Sequence, residues 1–196
     1  MKKIKFLLIS FMISFWSFNL NAADWTMASG YPKSNFHTQN IMKFIDEVKA
    51  NTSVNINLNP NDTLIKLDAI KTSLQRGQIP IGEIRFGIYG NEDPMYILAG
   101  LPFIAPDYAS AWLLKEVKHE YLQNLFNKKG LRILYTSPWP GQGFYTKTPV
   151  NGVSDFKGKK LRIYSTATQE MGTMLGFNAT ILPFAEIPQA LSLIHI

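Results

Sequence analysis

An α/β fold with mostly parallel sheets is what this sequence predicts, and two patterns carry the prediction. Short stretches of period-two hydrophobicity alternate along the chain with longer stretches of helical period. Glycine also stands just past several of the helical stretches, where a left-handed residue ends a helix. Strands that alternate with helices form βαβ units, because parallel strands need a crossover between them.

The elements follow in order. DWTMAS is a first strand at Asp24, and GYPKSN is a turn broken by Gly30, Pro32 and Asn35. A helix spans about Phe36 to Ala50, with Ile41, Phe44, Ile45 and Val48 on one face. Val54 to Leu58 alternates as a strand with one solvated face. Asp62 is placed to cap a helix whose buried face is Leu64, Leu67, Ile70 and Leu74 and which Gly77 ends. QIPIG and FGIY are short extended pieces, and LPFIAPDY is a loop stiffened by its prolines. Asp107 caps a long helix from Tyr108 to Lys129 with Leu114, Val117, Tyr121 and Leu125 along one side, closed by Gly130. LRILY is a strand. SPWPGQGFYTKTPVNG marks a composition shift, the best candidate for a domain crossing. Beyond it come a strand containing Arg162, a helix from Thr166 to Leu175 stopped by Gly176, the strand ATIL, and a helix starting near Glu186.

The two ends of the chain carry their own signals. Lys2, Lys3 and Lys5 precede an apolar run from Phe6 to Phe18, and small Ala22 offers a cleavage position. This predicts a signal peptide over 1–22 and a periplasmic mature chain; the run is too short and too interrupted for a spanning helix. The last residues, LSLIHI from Leu191, are also the translation of a transposon mosaic-end adapter used in sequencing libraries. The expectation is that 191–196 is adapter-derived, that the natural chain continues, and that His195 carries no function; a genuine hydrophobic terminus is the alternative.

Composition narrows the function. The charge of +6 over 196 residues owes half its excess to the signal lysines, with no basic run afterwards, so nucleic acid is not an expected partner. The absence of cysteine excludes disulfides and thiolate sites. No Gly-x-Ser-x-Gly, His-Glu-x-x-His, P-loop or dinucleotide motif occurs. No cofactor or metal is expected, and an enzyme would have to rest on a carboxylate pair.

Arg162 stands out because a strand entering a core should not hold an unpaired guanidinium. Ligands of open parallel sheets bind outside the carboxyl ends of the strands, and Arg162 lies near such an end. An anion clamp and a surface ion pair are both compatible with the pattern.

VSDFKGKKLRI followed by MGTMLGFNATILPFAEIPQAL resembles the signature of the substrate-binding proteins of tripartite ATP-independent periplasmic (TRAP) transporters. LQRGQIPIGEI and EDPMYILAGLPFIAP resemble that family's upstream segments in the same order, so the likeness covers about Asp24 to Leu191. The resemblance implies a two-lobed periplasmic binding protein fold of type II-like form, incomplete at its C-terminus, with a first lobe over 23–145 and the start of a second over 146–190. It implies capture of a small organic acid by hinge closure and delivery to a TRAP permease by a monomeric receptor without enzyme activity. A periplasmic sensor domain and, less favoured, a carboxylate-based hydrolase are the alternatives. By the same resemblance Arg162 falls on the carboxylate-clamping arginine, Phe184 on an aromatic that packs on the ligand, and Glu83 on an acidic cleft residue. Gln142 stands where many members place a second arginine, making that anchor neutral. Trp139 and Tyr145 flank it and are expected to wall the cleft. Tyr31 is a further contact candidate, balanced against a simple turn aromatic. His37 reads as a residue of a helix's first turn, His119 as solvated, and Glu186 as a helix-start residue. Pro188 replaces a tyrosine common in relatives.

Overall fold

The computed structural model describes residues 23–193. The expected signal segment 1–22, His195 and the end of the expected tail lie outside the described residues.

Two parallel sheets organise the chain. In the first, β1 (Asp24–Ala28) lies between β2 (Asn55–Asn59) and β3 (Ile81–Gly82), with Ala28 opposite both Asn59 and Gly82. Central β1 is covered on both faces, since successive side chains point to opposite sides. Met27 meets Ile41 of α1 (Phe36–Asn51), Ile56 and Ile81. Ala28 meets Ile70 of α2 (Ile70–Gln75) and Ile79. The α1 stripe of Ile41, Phe44, Ile45 and Val48 is the surface that closes the first of these cores.

The second sheet pairs β4 (Lys160–Ile163) with β5 (Asn178–Ile181), again parallel. The crossover α4 (Thr166–Met174) lies against it so closely that a Cβ on Gly172 would sit 3.1 Å from both Ala179 and Leu161. Phe156 and Phe177 stack at 4.6 Å, and Phe144 adds a third ring.

Three helices end alike. Gly77, Gly130 and Gly176 have φ of +67°, +71° and +84°. After each, the next amide reaches back one helical turn: Gln78 N to Ser73 O, Leu131 N to Phe126 O, and Phe177 N to Gly172 O. This pattern satisfies carbonyls that the helix leaves open, and it needs a residue that tolerates positive φ.

Four expectations are corrected. The helix expected after Asp62 begins only at Ile70. Asn61 and Asp62 both have positive φ, and Asp62 accepts a hydrogen bond from Leu67 N at 2.8 Å, so it closes a turn instead of capping a helix. That turn lays Leu67 directly on Gly30, where a Cβ would stand 2.6 Å away. FGIY is a 3-10 turn, Phe86–Tyr89, not an extended piece. A three-residue period points Phe86 and Tyr89 the same way, into a cluster with Tyr96, Leu122 and Phe126; a strand would split them.

The helix α3 (Tyr108–Asn127) buries Lys118, Leu122 and Phe126, and leaves Val117 and Tyr121 exposed. Its inward row is therefore one residue on from the expected one. Lys118 is tolerated because its apolar stem lies inward, with its ammonium 5.9 Å from the Phe86 ring. LRILY forms no strand, because no neighbour among the described residues supplies a ladder. Leu131 and Ile133 still alternate inward onto the Phe126 cluster.

Candidate functional site

The expected site residues that come together do so at the carboxyl ends of the parallel strands. Ser29 directly follows β1, Glu83 follows β3, Tyr164 follows β4, and Phe184 lies just past β5. Carboxyl ends are where an open parallel sheet leaves a crevice for ligand.

The first sheet's side is rigid. Ser29 is fully buried and donates from Oγ to Glu83 Oε2 at 2.5 Å, while Glu83 N is tied to Ala28 O. Burial pushes the Glu83 carboxyl up, against the opposing Ser29 bond. Tyr31 is held by its backbone: its carbonyl accepts from Thr38 Oγ1 and Asn61 N. Its ring is 1 % exposed, and its hydroxyl makes no hydrogen bond of good geometry among the described residues, with Arg85 close by. Burial pushes the Tyr31 pKa up to about 12; the Arg85 charge works against this, and Arg162 does so more weakly.

Aromatic rings from separate segments converge on Tyr31. Trp139 and Phe184 each meet it edge-on, with centroids 5.2 Å away. His37 is buried, 4.3 Å from Trp139, and its Nε2 has no hydrogen-bond partner among the described residues. Burial lowers its pKa, disfavouring the charged imidazolium. Its backbone amide is capped by Asn35 as the first-turn reading requires.

Arg162 is half-buried on β4. Its Nε donates to Leu182 O at 3.1 Å, and no carboxylate among the described residues lies in ion-pair range. The surface ion pair is therefore not formed here. Burial, and then the nearby Arg85 charge, disfavour its cationic form.

Arg85 and Tyr164 carry no role in the sequence reading. The Arg85 guanidinium lies 3.8 Å from the Tyr164 ring centroid, and that of Arg162 lies 5.6 Å from the same centroid. Gln142 Oε1 accepts the Tyr164 hydroxyl at 2.8 Å, so Gln142 helps to hold the ring that both cations approach. A second positive charge is thus present, from the segment after β3 instead of the Gln142 position. Tyr145 is 95 % exposed and does not wall the crevice, because the neighbouring Phe144 is the side chain that turns to Phe156 and Phe177. His119 is exposed, on a groove of about 220 Å³ with Trp112, Lys115 and Tyr135 that contains none of the strand-end residues. Glu186 is exposed in the turn before α5 (Ile187–Leu193), and Pro188 sits in that helix's first turn. No group of three His, Asp or Glu among the described residues is arranged to hold a metal ion.

The family model for bacterial extracellular solute-binding protein, family 7, matches residues 27–193. The chain belongs to that family. Its members and solved neighbours are solute receptors, not enzymes. The extracytoplasmic solute receptor DctP7 of Bordetella pertussis, described as binding pyroglutamic acid, is 38% identical with a TM-score of 0.84, over 87% of this chain and 57% of that one. DctP6 of the same organism, also described as binding pyroglutamic acid, is 34% identical with a TM-score of 0.84, over 87% and 57%. A TRAP solute-binding protein from a marine metagenome, described as specific for pyroglutamate, is 35% identical with a TM-score of 0.83, over 88% and 57%. This chain thus spans about 57% of the length of these relatives. A search of curated proteins finds no match. The fold is that of two-lobed TRAP binding proteins, of which this chain covers a part. Among the described residues no helix is long and apolar enough to cross a membrane.

Proposed function

We propose that this family-7 receptor captures a small organic acid in the periplasm and delivers it to a TRAP-type permease. Arg162 holds the acid's carboxylate. Residues 23–145 form the first lobe and 146–190 begin the second. The observation that carries the reading is Arg162 itself: a half-buried guanidinium at a strand's carboxyl end, with no acid among the described residues to pair it. A planar fork of donors suits a carboxylate, which accepts two parallel hydrogen bonds.

Trp139 and Phe184, backed by the buried Tyr31 ring, supply an aromatic surface for a small flat ligand. Glu83 offers an oxygen to a ligand N–H or hydroxyl, its other oxygen being held by Ser29. Pyroglutamate is the first acid to try, since three relatives at 34–38% identity are described as binding it. Its carboxylate suits Arg162, its lactam N–H suits Glu83, and its ring suits the aromatic surface. Closure of the lobes is stabilised by whatever contacts the acid makes with both at once.

The test is a thermal-shift panel on the mature full-length chain with pyroglutamate, four-carbon dicarboxylates, 2-oxo acids and uronates. An acid at ~100 times its dissociation constant stabilises by about 2.7 kcal/mol. The expected result is a clear shift with at least one acid. No shift with any of them contradicts the reading.

A further inference from the structure

Arg85 is left without an assignment by the carboxylate clamp. It follows β3 on the first sheet's side, while Arg162 belongs to β4 in the second sheet. Both guanidiniums face the one Tyr164 ring, Arg85 at 3.8 Å and Arg162 at 5.6 Å from its centroid. Stacking uses the face of the Arg85 fork and leaves its edge donors free. No ion pair among the described residues takes up those donors, and the Tyr31 hydroxyl beside Arg85 can accept from one of them. The carboxyl two residues earlier, Glu83, is already bonded to Ser29 and disfavoured as an anion by burial.

Two like charges therefore stand close together at the strand ends of different sheets. Repulsion between half-buried charges is stronger than at a wetted surface, so the pair opposes closure until an electron-rich group enters between them. We infer that Arg85 is a second ligand anchor, donating to an acceptor oxygen of the same acid whose carboxylate Arg162 holds. This assigns the ligand to compact acids that carry a carboxylate and a second carbonyl-type oxygen. It also gives closure a cause, since a bridging acid replaces repulsion with attraction on both sides. The inference rests on the carboxylate clamp of the previous section.

The experiment compares two five-membered-ring acids by calorimetric titration of the mature full-length protein. 3-Oxocyclopentanecarboxylate has a carboxylate and a ring carbonyl placed as in pyroglutamate but no N–H for Glu83; cyclopentanecarboxylate has the carboxylate alone. Wild type is expected to bind the oxo acid ~10- to 100-fold more tightly, the range of a charge-assisted hydrogen bond. Arg85→Ala is expected to remove most of that preference while leaving cyclopentanecarboxylate affinity within about twofold, and Arg85→Lys to restore part of it. The wild-type comparison needs no variant and so survives a folding defect. If wild type binds both acids equally, or Arg85→Ala weakens both alike, the anchor role is overturned while the Arg162 clamp stands. If neither acid binds, both fall.

Discussion

Replacing Tyr31 by phenylalanine removes one oxygen from the most enclosed part of the site, and the expected effects have opposite signs in two assays. The hydroxyl is buried and makes no hydrogen bond of good geometry among the described residues. Burial raises its pKa to about 12, so it remains a protonated donor throughout the working range. An unsatisfied buried donor costs about 1–3 kcal/mol relative to one that stays hydrated. The ring contacts with Trp139 and Phe184 do not involve the oxygen and are kept by phenylalanine. Tyr31→Phe should therefore raise the unfolding free energy of the unliganded full-length protein by about 1 kcal/mol or more. The prediction for the complex is that the hydroxyl donates to a ligand oxygen, so that losing it weakens the acid by roughly fivefold, the worth of about 1 kcal/mol. Urea unfolding without ligand and calorimetric titration with the best acid measure the two effects. A variant that is less stable without ligand and binds with unchanged affinity refutes the reasoning, because the hydroxyl would then have a structural partner and no ligand role.

Two further outcomes follow from charges. Burial raises the Glu83 pKa, so the folded state holds that proton more tightly than the unfolded chain, and the associated stability is present at low pH and lost as pH rises through the shifted pKa. Glu83→Gln should then be more stable than wild type at neutral pH, with the gap closing below the usual carboxylate range; urea midpoints across pH check this, and a gap independent of pH contradicts it. Glu92 pairs with buried Lys71 and, at 2.6 Å, with Lys129. Lys71 is 1 % exposed, so Glu92→Ala strands a buried cation and should cost about 3 kcal/mol in chemical unfolding; a loss under about 1 kcal/mol shows that Lys71 finds other compensation.

What could be read in advance divides by the range of the interactions involved. β1, α1 and β2 were legible because each carries its own period, and Gly77, Gly130 and Gly176 marked helix ends because positive φ is a local demand. The turn at Asn61–Asp62 was not legible: its form depends on Leu67 covering Gly30. Nor was the register of α3, where a buried lysine replaced the expected valine and tyrosine under an aromatic cluster assembled from distant segments. Residues 131–135 alternate as a strand should, but alternation does not create a neighbour. In the site, Arg162 was conspicuous because a strand arginine conflicts with its surroundings. Arg85 followed no such conflict, and its meeting with Tyr164 joins two sheets that share no local pattern. Whether an acid among the described residues lies within reach of Arg162 also needed the fold, since only three-dimensional neighbours show it.

The account stands most directly on the Arg162 guanidinium. Calorimetric titration of the mature full-length protein and its Arg162→Ala variant, with the acid that gives the largest thermal shift, tests it. The account predicts a loss of about 100-fold or more, since the variant removes both forks of a partly buried charged pair. Unchanged affinity would contradict it, and would leave Arg162 as a structural side chain whose role is its bond to the Leu182 carbonyl.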